Sequence, residues 1–173
     1  MSQRAHTLAH AARASAPLFS RFLAGFDDTN HTAQAPHLPN HAAWTLAHLA
    51  LYLNRVAERF DKQPFPASDF ADDRKAAPDR FDTESCCYGS TPTKDPAGYP
   101  PYARCVEIFD NALTRFADAV GDLTDEQLDA QTSWGSGTIT IEDLVIRLTA
   151  HTALHAGQLT DLRRALGMPG VIG

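Results

Sequence analysis

Two imidazoles and an amide interrupt an apolar helical seam near the C-terminal end of this 173-residue chain. Counting from Ile141, the positions that alternate three and four apart are Ile141, Leu144, Leu148, His151, His155, Gln158, Leu162 and Ala165. Side chains so spaced share one face of an α-helix, and the aliphatic members make that face the inward one. Three consecutive polar members cost stability unless something satisfies them. His151 and His155 are four apart, so their rings stack on adjacent turns and can bind one metal ion. Two ligands hold an ion weakly, and a third is expected from a facing helix. His48, within WTLAHLALYL and beside the stripe Leu46, Leu49 and Leu53, is the candidate. Three neutral imidazoles on two helices leave coordination positions open to water or substrate, as catalytic sites do. The motif is not a zincin, because Thr152 stands where that motif needs Glu. The competing reading is a set of neutral, hydrogen-bonded core histidines.

Residues around the motif carry less chemistry. Gln158, seven after His151, is placed to support a ligand's outer nitrogen or to cap a polar pocket. Gly157 allows close backbone approach to the last helix. Trp44, one turn before His48, reads as core or as a substrate platform. His41 is expected to be exposed near a helix start, and His6, His10, His31 and His37 are expected at the surface. Cys86 and Cys87 reach the site only if the segment that carries them folds over it.

Four long amphipathic segments must position these groups. The first runs from about Ser2 to Phe26, with Leu8, Ala12, Ser15, Phe19, Phe22 and Phe26 at core spacing. The second runs from about His41 to Phe60 behind Asn40 as cap. The third begins near Pro101 and ends at Gly121, with Tyr102, Val106, Phe109, Leu113, Phe116 and Val120 as its stripe. The fourth begins at Thr140, with Asp143 completing a capping box, and ends at Gly167. LTDEQL, between the third and fourth, predicts a short helical turn boxed by Thr124 and Gln127. No segment alternates with period two long enough to predict a strand. Residues 61–100 are polar and contain Pro64, Pro66, Pro78, Pro92, Pro96 and Pro100, so they are not one regular helix. A connection of that length can cross from one end of a helical bundle to the other and cover a mouth of it. The expected architecture is all-α: a single domain over residues 1–173, with four helices and one long crossover between helices 2 and 3.

Composition narrows the function. A formal charge of −6 with no basic stripe argues against nucleic acid. No apolar run approaches a membrane span. Cys86, Cys87 and Cys105 form neither a paired framework nor a C-x-x-C motif, which favours a reducing cytoplasm. The Ala-rich N-terminus carries Arg4, Arg13 and Arg21 with no acid before Asp27, as a transit peptide could, but its core-type spacing reads as a bundle helix.

NHAAWTLAHLA followed far downstream by AHTALHAGQLTDLRRALGMP resembles the DinB/YfiT-like superfamily, and SWGSGTITIEDL and the long second connection extend the resemblance along the chain. It implies a four-helix bundle in up-down-down-up order, a divalent metal held by His48, His151 and His155, and a homodimer. The family includes transferases and an isomerase that use low-molecular-weight thiols, so the resemblance implies a small-molecule substrate and thiol transfer to an electrophile. Substrates of that kind carry carboxylates, which makes Arg55 and Arg147 candidate partners. Three imidazoles suit several ions; zinc or nickel is expected, with iron or manganese as alternatives. A metal- or small-ligand-binding protein without turnover, or a structural dimer, is the alternative to an enzyme. The tail MPGVIG hints at a dimer contact.

Overall fold

The computed structural model describes residues 2–72 and 78–171. Four long helices dominate it. α1 (Gln3–Leu23) starts where the Ser2 hydroxyl accepts the Ala5 N–H at 3.1 Å, and it buries Ala5, Ala9, Ala12, Phe19 and Phe22. It ends before Gly25, whose φ of +83° turns the chain so that Phe26 is buried beyond the helix. α2 (Ala42–Asp61) is buried on every side from Ala42 to Leu51, as befits a central helix.

The start of α2 differs from the sequence expectation in two ways. His41, not Asn40, is the cap: its Nδ1 accepts the Trp44 N–H at 3.2 Å, while the Asn40 amide donates to Gln158 at 3.2 Å. His41 is also fully buried, because its Nε2–H donates to the Thr93 carbonyl at 2.9 Å and its ring meets Tyr99 edge-on at 4.9 Å. His31 is likewise buried rather than at the surface. His6, His10 and His37 are exposed, as expected.

The connection to the next long helix folds back on α2. It pairs β1 (Phe70–Ala71) in parallel with β2 (Phe81–Asp82), continues into α3 (Thr83–Cys86), and passes a 3-10 turn at Pro96–Gly98. α4 (Tyr102–Gly121) follows, then α5 (Asp125–Asp129), whose reciprocal Thr124–Gln127 box forms as the sequence predicts. β3 (Gln131–Trp134) and β4 (Gly137–Thr140) form an antiparallel hairpin that the sequence did not announce. Each arm has four residues, too few for an alternation to stand out, and the turn rests on Gly135 at φ +56°. α6 (Ile141–Ala165) begins as Thr140 Oγ1 accepts the Asp143 N–H at 3.0 Å.

Helix α2 packs against α4 and α6, and α1 packs against the same two. Their shared core includes Phe19, Leu46, Leu53, Phe109, Phe116 and Leu148, with Phe19 and Phe109 rings 4.7 Å apart. Arg115 of α4 grips Asp61 through two bonds, at 2.8 and 3.1 Å, and so fastens the end of α2. Arg163, only 4 % exposed, donates to the carbonyls of Phe22, Ala24 and Pro169. Part of the tail also packs within the chain, where Met168 and Val171 lie half-buried against its own core. Residues 172–173 of that tail lie outside the described residues. Among the described residues no helix is long and apolar enough to cross a membrane.

Candidate metal centre

The three histidines singled out by spacing meet in space. His48 comes from the middle of α2, and His151 and His155 come from adjacent turns of α6. One nitrogen from each lies within 4.8 Å of the other two, and among the described residues this is the one group of its kind. His151 Nε2 and His155 Nε2 are 3.0 Å apart. Metal–imidazole bonds are about 2.0–2.1 Å long, so two ligands of one ion stand roughly this far from each other. Ring centroids are 5.1 Å apart for His48–His151 and 5.0 Å for His48–His155.

Burial keeps all three rings neutral near pH 7. It pushes His151 down to about 4 and His155 down to about 3, helped in each case by the neighbouring imidazoles, and it lowers His48 as well. Neutral rings present lone pairs. His48 has its tautomer fixed, since Nδ1–H donates to the Cys86 carbonyl at 2.8 Å and leaves Nε2 as the free acceptor. Its plane is held by Trp44, stacked at 4.5 Å with 17° between the rings. Trp44 is itself fixed, because its indole N–H donates to the Ser85 carbonyl and the Ser90 hydroxyl.

A cavity of about 740 Å³ opens from this centre. His48 and His151 belong to its lining, with Tyr52, Arg55 and Arg59 from α2, Arg147, Leu148 and Leu154 from α6, and Ser133–Gly135 from the hairpin. Tyr88 of the crossover completes the lining, and its N–H donates to the Tyr52 hydroxyl at 3.0 Å. The crossover thus does reach the site, through Cys86 and Tyr88.

The other sequence candidates fall on both sides of the site. Arg55 and Arg147 line the cavity, and Trp44 is a buried support for His48 rather than a platform for substrate. Gln158 is exposed and gives its Oε1 to Asn40; His155 Nδ1 is buried without a hydrogen bond, and Gln158 only draws its pKa slightly upward from nearby. Ala165 is exposed too, and the inward place after His155 belongs to Leu159. Cys86 contributes its carbonyl, not its sulfur, and burial pushes the thiol far up out of the reactive range. Sequence reasoning missed Tyr52 and Arg59, each one turn beyond a residue already singled out, and it missed Tyr88 and Trp134, which had no such spacing.

The sequence profile of the DinB superfamily matches residues 11–159, which include all three histidines. The chain belongs to the DinB superfamily. No curated protein matches it. The solved structure described as the conserved protein of locus from Enterococcus faecalis is similar over 96 % of this chain and 99 % of that one, with a TM-score of 0.74 at 15 % identity. That likeness is one of fold. It shows this DinB chain to be built as an all-α protein across nearly its whole length, with the short strand pairs as local additions.

Proposed function

We propose that this DinB protein holds a divalent metal ion, zinc or nickel before iron or manganese, through His48, His151 and His155, and uses it on a small molecule in the adjoining cavity. The observation that carries this reading is the convergence of three neutral imidazoles, two of them 3.0 Å apart and the third fixed by the Cys86 carbonyl, beside a cavity that His48 and His151 line. The competing reading is metal-free: one neutral ring of the His151–His155 pair donates its Nε2–H to the other Nε2 across the same 3.0 Å.

When bound, such an ion supplies Lewis acidity and lowers the pKa of a coordinated thiol. The protein's part is to keep the rings deprotonated, to fix His48 through Trp44 and Cys86, and to bring substrate to the histidines along a wall of aromatic and cationic side chains. We read the activity as transfer of a low-molecular-weight thiol to an electrophile. The four long helices form one up-down-down-up bundle domain over residues 1–173, active as a cytoplasmic homodimer.

Elemental analysis of tag-free protein, wild type beside His155→Ala, tests the reading. A stoichiometric ion in the wild type, lost in the variant with the helical spectrum retained, is the expected result. No ion after reloading with zinc, nickel, iron or manganese would leave three core histidines and end the proposal. A thiol and electrophile panel, run with the loaded protein, then tests turnover separately.

A further inference from the structure

The cavity has a charge of its own. Arg55 and Arg59, one turn apart on α2, and Arg147 on α6 line it, and its lining includes no Asp or Glu. This happens in a chain of formal charge −6. Among the described residues, none of the three guanidinium groups stands within 4.0 Å of a carboxylate, although the chain's other arginines form eight such pairs or contacts elsewhere, Arg115–Asp61 and Arg104–Asp69 among them. Arg55 instead lies over the Tyr52 ring, 5.6 Å from its centroid, and Arg59 donates to the Ser133 carbonyl at 3.4 Å. Three like charges around one concavity raise the local concentration of anions, and guanidinium forks match the oxygen pairs of carboxylate and phosphate. The outer wall is of another kind. Trp134, Tyr88 and Leu154 are exposed large side chains that line the same cavity.

We infer that the cavity selects a flat organic anion bearing two oxyanion charges, with those charges on Arg55, Arg59 and Arg147, its apolar body against Trp134 and Tyr88, and its remaining edge toward His48 and His151. The volume suits it, since small-ligand sites run to several hundred Å³. The inference deepens the metal-site reading by naming the class of molecule, and it rests on that reading only for what happens at the histidine end.

Titration calorimetry tests it with phthalate, phenyl phosphate, inorganic phosphate and the neutral phthalamide. Each is titrated into protein dialysed against chelator and into protein reloaded with zinc, as wild type, Arg55→Gln and Arg147→Gln. Both arginines are exposed, so the unliganded variants should melt with the wild type. Phthalate or phenyl phosphate should bind at least 10-fold more tightly than phthalamide, and each variant should weaken that binding by about 10- to 100-fold, the worth of one charged hydrogen-bonded contact. The tighter of the two acids identifies carboxylate or phosphate as the group read. Equal binding of phthalamide, or unchanged binding in both variants, would overturn the inference, and inorganic phosphate matching the organic acids would remove the apolar wall from it. Binding that appears only with zinc and ignores both arginines is chelation and overturns it too. Arginine-dependent binding in a protein that takes up none of zinc, nickel, iron or manganese would sink the metal reading alone, whereas stoichiometric metal without anion binding would sink this one alone.

Discussion

His48 is aimed by two neighbours that do different things. The Cys86 carbonyl fixes which nitrogen is free, and the Trp44 face fixes where the ring plane lies. Trp44→Phe keeps an aromatic face but loses the indole N–H that ties α2 to Ser85 and Ser90. We expect a stability loss of about 1–3 kcal/mol by denaturant titration, because the carbonyl and hydroxyl on the crossover lose a buried donor. Metal affinity should fall by about 10-fold in a competition assay with a chromogenic chelator, as removal of outer supports of a ligating histidine does. Unchanged affinity would mean that the Cys86 bond alone orients the ring. At this scale the triad was legible because imidazole is rarely set into an apolar seam, and a four-residue interval on a helix leaves little freedom. The Cys86 carbonyl was not legible, since a backbone group carries no residue signature. His31 and His41 were misplaced at the surface because polarity was weighed without the partners that tertiary structure supplies, such as Thr93 for His41.

At the level of elements, the long helices could be read from the three-four interval and several of their ends from Ser2, Thr140 and Gly121, and the short α5 from Thr124, whose roles are local. Gln158 shows where that reading loses precision. At about 100° per residue, it lies roughly 60° around α6 from His155, enough to move it from the buried face to the rim. Leu159, closer to the centre of that face, is buried in its stead. The hairpin escaped detection for the opposite reason, being too short to show its period. Thr140 joins the two lessons, since it is both the last residue of β4 and the cap of the helix that carries two of the three histidines. Thr140→Ala should cost about 1 kcal/mol in denaturant unfolding, the usual worth of a lost cap. Metal content should stay stoichiometric, because His151 and His155 lie about three and about four turns further on. Loss of the ion without loss of stability would show that the hairpin, rather than the body of α6, sets the geometry of the centre.

Across the whole molecule, the buried histidines make stability a function of pH. His41 is the clearest case: it is remote from the triad in its bonding, fully enclosed, and pushed by burial to about 4 despite the Thr93 carbonyl's opposing pull. In the unfolded chain its pKa returns to about 6.5. Above that value neither state carries the proton and stability does not depend on this residue's titration. Below it the unfolded chain takes up a proton that the native state refuses, so stability falls as pH drops, and the fall levels off only once the native ring is itself protonated near 4. A depression from 6.5 to 4 amounts to a loss on the order of 3 kcal/mol between pH 7 and pH 4. Asparagine is a good cap and does not titrate, so His41→Asn isolates the effect. At pH 7 the variant should be less stable by about 1 kcal/mol, having lost the bond to Thr93. Its stability should then fall less steeply toward acid, so that the two curves of unfolding free energy, measured by urea titration of chelator-treated protein from pH 7 to pH 4, converge and cross. Parallel curves would mean that His41 takes up its proton in the native state as readily as in the unfolded one, and that the acid sensitivity of this DinB protein comes from the triad and from paired carboxylates such as Asp61, which Arg115 holds below the usual range.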